Sequence, residues 1–211
     1  FPPASLQLEI GIQTLNTEVA ERIHRRIDKE KIKQNIAFLE KNTSVHLHVD
    51  LIAGLPGEDM DSFGKNLNEL YTLTSSEIQL GILKKLSGTT LARHDEVFGA
   101  VYSDEPPYEI LQNDLIPFLK MQQLKRFARF WDIGYNSGNF KESIKMLWRG
   151  TDDVFGSFFA FSEWIYTQTE STWQIAMNRY AELLFRYLTE LIGVDKSIVA
   201  DAILNDISAV G

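Results

Sequence analysis

Leu6, Leu8, Ile10 and Ile12 alternate with Gln7, Glu9, Gly11 and Gln13, the two-residue period of a strand. Thr17 is placed to cap a following helix in which Val19, Ile23 and Ile27 share a face. A second helix begins near Asp28, with Ile32, Ile36 and Leu39 on one side. The next strand sets Val45, Leu47, Val49 and Leu51 against His46, His48, Asp50 and Ile52. A helix opening at Asp61 or Ser62 carries Phe63, Leu67 and Leu70. A third strand, near Glu77 to Leu83, alternates Ile78, Leu80 and Ile82 with Gln79 and Gly81.

Strands separated by helices at this spacing predict parallel βαβ units with right-handed crossovers. Parallel strands are normally buried on both faces and apolar throughout. These carry polar residues on one face, which an antiparallel sheet with one wet face also explains. The intervening helices favour a curved parallel sheet whose concave face lines a polar cavity. The pattern changes from about Ser103. Asp104-Glu105-Pro106-Pro107 reads as a linker. Helices are then expected over roughly Tyr108 to Ile133, Lys141 to Trp148, Asp153 to Tyr166, Ser171 to Ile192 and Lys196 to Ile207, with a break at Gly134 to Gly138. The fold class is therefore α/β, with parallel strands over residues 1–103 and an all-helical domain over residues 104–211; the family that the strand ends resemble implies a partial (β/α) barrel for the first part.

Composition narrows the function classes. The 211 residues are 44% hydrophobic and 24% charged, enough for a sizeable core. A net charge of −8 argues against nucleic acid as a partner, and Arg22, His24, Arg25 and Arg26 read as the solvated end of a helix. The absence of cysteine excludes disulfides, thiolate catalysis and Cys-held metal within the chain. No apolar run approaches the roughly 20 residues of a membrane span, and no secretory leader opens the sequence, so no membrane partner and a cytoplasmic location are expected. The chain begins on Phe1-Pro2-Pro3, with a strand following at once, and reads as a piece of a longer protein cut within a βα pattern.

Chemistry concentrates at three strand ends. Asp50-Leu51-Ile52-Ala53-Gly54-Leu55-Pro56-Gly57-Glu58 joins an apolar strand bearing an acid to a glycine-rich turn and a helix. In parallel α/β folds ligands bind at such junctions. Gly11-Ile12-Gln13 precedes it, Arg25 stands twelve residues beyond Gln13, and Leu86-Ser87-Gly88-Thr89 follows the third strand. In this order the residues resemble the second half of a radical S-adenosylmethionine (SAM) barrel, and most closely the oxygen-independent coproporphyrinogen oxidases. The resemblance covers roughly residues 5 to 92. Ser87 stands where that pattern more often has proline.

The resemblance implies that Gln13, Arg25 and Asp50 contact SAM, with the backbone of Gly54, Leu55, Pro56 and Gly88 along the adenosine. The residue chemistry suits this. A carboxylate accepts hydrogen bonds from ammonium or hydroxyl groups, an arginine clamps a carboxylate, and glutamine both donates and accepts. The plainer alternatives are a solvated or capping acid, a surface arginine, a polar strand end and an ordinary tight turn. Glu9 and His48 face the same side and are candidates for binding substrate, a structural ion pair being the alternative for Glu9. His46 and His48 have a spacing that suits a metal, but no third ligand stands at a recognisable offset. They are read as hydrogen-bonded cavity histidines, with no metal site and no catalytic residue assigned.

Phe155, Phe158, Phe159, Phe161, Trp164 and Tyr166 fall at helical spacing and read as core rather than as the wall of a flat ligand's pocket. Tyr135-Asn136-Ser137-Gly138-Asn139-Phe140 resembles the entry to a helical domain that follows some cobalamin-binding radical SAM proteins. Proteins of that kind are often labelled anaerobic magnesium-protoporphyrin monomethyl ester cyclases, though no residue here specifies a porphyrin. The whole enzyme would, as the family implies, carry a [4Fe-4S] cluster on three cysteines, and possibly cobalamin. The cluster would reduce SAM and release a 5′-deoxyadenosyl radical or, with cobalamin, support methyl transfer. This chain alone would be inactive and hold no cofactor tightly. Its partners would be a small-molecule substrate, the N-terminal half-barrel and cobalamin domain of the same polypeptide, or a second copy at the exposed edge strand. The competing reading is a non-catalytic α/β binding or scaffold module.

Overall fold

The computed structural model describes residues 5–86 and 88–210. Two compact units divide the chain between Lys125 and Arg126. In the first, β1 (Gln7–Gln13), β2 (His46–Ala53) and β3 (Glu77–Ile82) form a parallel sheet in that order. The crossovers are α1 (Thr17–Arg22) with α2 (Lys29–Asn42), and then α3 (Met60–Leu73). The architecture is mixed α/β, a three-stranded parallel sheet followed by helices.

The starts of α1, α2 and α3 are each set by a side-chain oxygen that satisfies free backbone N–H groups. Asn16, not Thr17, caps α1 by accepting from the N–H groups of Glu18 and Val19 at 3.0 and 3.3 Å. Asp28 caps α2 through Lys31 N–H at 3.0 Å. Asp59 caps α3 through Ser62 N–H at 2.7 Å, two residues ahead of the expected start. One sheet face is sealed by helices. Leu47, Val49, Leu51, Ile78, Ile36, Phe63, Leu67 and Leu70 are all buried there. The other face carries Gln7, Glu9, His46, His48, Asp50, Glu77 and Gln79. The register pairs Glu9 with His48, His48 with Glu77, and Asp50 with Gln79.

The helix expected from Tyr108 is a correction. Ile110–Gln112 is a strand, β5, antiparallel to β4 (Val101–Tyr102). The Pro-Pro segment turns a hairpin here, with Ser103 N–H donating to Glu109 O at 2.9 Å. Ile110 N–H donates to Leu83 O at 2.8 Å, which binds the hairpin to the end of β3. Asn113 then forms a side-chain turn, its Oδ1 accepting from Leu115 and Ile116 N–H at 3.0 and 2.7 Å, and α4 (Phe118–Trp131) starts only after Pro117.

The second unit contains α5 (Val154–Thr169), α6 (Met177–Arg186) and α7 (Lys196–Val210), with π turns at Asp132–Asn136 and Tyr187–Ile192. Ser171 to Ala176 stays irregular where a helix was expected, because Thr169 and Ser171 hydroxyls occupy the backbone groups a helix needs. The segment expected as a helix from Lys141 is a 3-10 turn at Ile144–Trp148. Its entry is held by the buried Asp206, which accepts from Ser143 N–H and Oγ at 2.8 and 2.7 Å. Of the aromatic run, Phe158 and Phe161 are core, Phe155, Phe159 and Trp164 are half-buried, and Tyr166 is exposed; Phe127 meets Phe158 edge-on at 5.3 Å between ring centroids. No helix among the described residues is long and apolar enough to cross a membrane.

Candidate functional site

Arg25 and Asp50 converge over Gly11. Arg25 Nη1 donates to Gly11 O at 2.6 Å. A Cβ built on residue 11 would lie 3.9 Å from Arg25 Nη2 and 4.0 Å from Asp50 Oδ2. Cation and carboxylate both stand at ordinary contact distance from that position. The approach depends on α1 ending early. Its C-terminal turn bends through His24, at a φ of 60°, and this swings Arg25 back over β1.

Asp50 is half-buried in the middle of β2, and its Oδ1 has no hydrogen-bond partner. Burial holds its carboxyl above the usual range, and the charge of Glu9 pushes the same way, while His48 opposes both. A buried acceptor without a donor is costly, by about 1–3 kcal/mol. The polar face therefore presents an acid ready to accept from an ammonium or hydroxyl group.

Gln13 stands apart from this alternation. The β1–β2 register slips between Gly11 and Gln13, pairing Gln13 with Leu51, and Gln13 has a φ of 67°. The bulge aims the strand end away from the regular pleat, so the period of two no longer assigns Gln13 to Asp50's face. His48 is buried, and its Nδ1 meets the side-chain amides of Gln79 and, at 3.3 Å, of Gln7. Glu9 is exposed beside it.

The turn after β2 is shaped by protein contacts. Gly54 has a φ of 91°, and a Cβ there would come within 2.8 Å of Ile110 Cγ2 and 3.1 Å of Met121 Cε. Leu55 and Pro56 are buried. A Cβ on Gly57 would collide with the Arg22 guanidinium, which donates to Pro56 O at 2.9 Å. The space between Gly54, Leu83, Phe98 and Tyr102 amounts to about 10 Å³, room for a water and no more. Gly88, at a φ of 81°, has open space around it. Ser87 lies outside the described residues.

A buried network, absent from the sequence reading, ties the first two strand ends together. Glu58 Oε1 accepts from Thr14 Oγ1 and from Asn66 Nδ2, both at 2.6 Å. Asn66 also donates to Thr14 Oγ1 at 3.0 Å, and Asn16 Nδ2 reaches Ser62 Oγ at 2.9 Å. Burial raises the Glu58 carboxyl to about 7. In sequence this acid looks like any carboxylate in the turn ahead of a helix, which hid its burial.

The family model described as "Protein of unknown function (DUF4080)" matches residues 96–209, more than half of the chain. The chain belongs to the DUF4080 family. No curated protein matches it. The DUF4080 segment runs from before β4 almost to the end of α7. It includes Ile110 and Met121, which seat Gly54, but it begins after Gln13, Arg25 and Asp50.

Proposed function

We propose that this DUF4080 chain is the C-terminal part of a radical SAM enzyme, and that Arg25 and Asp50 beside Gly11 receive the amino-acid end of SAM. The observation that carries this reading is the convergence of Arg25 and Asp50 at that glycine. SAM has an ammonium for Asp50 Oδ1, which has no other donor, and a carboxylate for Arg25. Burial first and the charge of Glu9 second raise the Asp50 carboxyl, and a cationic ligand would offset both. Bound SAM would supply a methyl group to a nucleophile or, after one-electron reduction, a 5′-deoxyadenosyl radical. This chain's part is to bind and orient it. A [4Fe-4S] cluster does not fit these residues, because the chain has no cysteine, and no step is assigned to one here. Cluster and cobalamin would sit on preceding parts of the same polypeptide.

An open edge supports the same reading. Among the described residues β1 pairs with β2 alone, and a free parallel edge is a template for another strand. The N-terminal half-barrel would supply that strand. Without it, a second copy is expected to: sedimentation should give a dimer whose population grows with concentration, with slowed hydrogen exchange along β1. A monomer at every concentration with freely exchanging β1 amides would contradict this.

The reading is tested in the longer protein encoded by the native reading frame, which should carry a Cys-x3-Cys-x2-Cys run upstream. Under anaerobic calorimetric titration, Asp50→Ala should weaken SAM binding about tenfold to a hundredfold, because a hydrogen bond to a charged group is worth about 1.5–3 kcal/mol. Equal affinities would remove Asp50 from the site, and a reading frame without the cysteine run would remove the enzyme.

A further inference from the structure

We propose that His46, His48 and Glu77 form a binding site for a divalent transition metal of the zinc class, on the polar face of the sheet and separate from the Arg25–Asp50 space. Glu77 is the third ligand that spacing along the sequence does not reveal. The parallel register sets it directly beside His48. Its two oxygens are divided between the imidazoles: Oε1 lies 2.9 Å from His46 Nε2, and Oε2 lies 3.4 Å from His48 Nε2. One ligand atom from each residue falls within 4.8 Å of the others. The two rings meet edge to face with centroids 4.7 Å apart.

The metal-free arrangement leaves a donor poorly used. His48 is only 8% exposed, yet its Nε2 makes no aligned hydrogen bond, the contact to Glu77 being too oblique. Bond lengths of about 2.0–2.2 Å around a tetrahedral ion place neighbouring ligand atoms roughly 3.3 Å apart. Each imidazole already stands near that separation from one Glu77 oxygen, and one ligand atom from each residue lies within 4.8 Å of the others. The two imidazoles close on one another by rotation of His46, whose side chain is 55% exposed and marks the path by which an ion enters.

Chemistry selects the ion. Two imidazoles and one carboxylate suit zinc and its neighbours, whereas calcium and magnesium prefer oxygen donors throughout. With Nε2 on the metal, His48 Nδ1 carries the proton and needs an acceptor. The amides of Gln79 and Gln7 both lie against Nδ1, and half a turn of either presents its oxygen. Glu9, beside His48, and Asp50 add negative charge on the same face. Three ligands leave one position for water. The site links β2 to β3 near their N-terminal ends, which points to a stapling role for the bound ion.

The test uses the tag-free chain, zinc chloride in calorimetry and cobalt(II) as an optical probe. One zinc per chain is expected, with a raised unfolding midpoint and the visible absorption of tetrahedral cobalt. His46→Ala and Glu77→Gln should each weaken zinc at least tenfold, since losing even an outer-shell partner costs 10–100-fold. Neither requires disturbing the buried His48. His24→Ala, outside the cluster, should bind as the parent does. Failure of the parent to bind one zinc, or unchanged binding in both His46→Ala and Glu77→Gln, would overturn the site. No readout involves SAM, so this result and the SAM titration stand or fall separately.

Discussion

Gly54→Ala is expected to destabilise the first unit by about 2–6 kcal/mol. Two costs combine. The residue holds a φ of 91°, where a side chain is strained by about 1–3 kcal/mol. The new Cβ would also stand 2.8 Å from Ile110 Cγ2 and 3.1 Å from Met121 Cε. Both neighbours are buried and have little room to retreat, so overpacking adds about 1–3 kcal/mol. Gly88→Ala separates the two costs. That glycine has a φ of 81° with nothing within 4 Å of its Cβ position, so only the backbone cost of about 1–2 kcal/mol applies. All four tryptophans lie beyond residue 130 and report on the second unit. Far-ultraviolet dichroism in urea, with hydrogen exchange at Val49 and Leu51, is therefore the measurement. Equal losses at Gly54 and Gly88 would show that the contact with Ile110 is slack.

The sequence exposed what is local and hid what depends on partners distant in the chain. Alternation in β1, β2 and β3 was legible because one face packs on helices and the other is polar, so each strand repeats with a period of two. Their parallel order followed from the intervening helices. Gln13, Arg25 and Asp50 were grouped through the family their motifs resemble, and Arg25 and Asp50 both approach the Cβ position of Gly11 to about 4 Å. Register was not legible, and register makes Glu77 a neighbour of His48 and takes Gln13 off the regular pleat. The hairpin of β4 and β5 was missed for a different reason. Strands of two and three residues are too short to show any period. The expected helix starts moved by one or two residues because Asn16 and Asp59 compete with their neighbours for the same N–H groups, a contest that composition does not decide.

Glu58→Gln should remove a pH dependence of about 3 kcal/mol from the stability of the first unit. Burial is the first cause: the carboxyl is raised from 4.5 to about 7, although Thr14, Asn66 and Ser62 donate to it and partly oppose the shift. The sign follows from which state releases the proton first. The unfolded chain ionises near 4.5, whereas the folded chain keeps the proton until about 7. Stability from this group is therefore fully present below 4.5 and lost as pH rises towards 7, with a plateau above. A shift of this size corresponds to about 3 kcal/mol at 1.36 kcal/mol per unit. Glutamine keeps an acceptor for Thr14 and Asn66 and cannot ionise. Its amide nitrogen takes the place of Oε2, which has no partner in the native network. Carboxylates elsewhere titrate in both proteins, so the difference in unfolding free energy between Glu58→Gln and the parent isolates this group. That difference should move in the variant's favour between pH 4.5 and 7.5 and then level off. A difference that stays constant across this range would mean that Glu58 ionises normally and that the Thr14–Glu58–Asn66 network already holds a full charge at low pH.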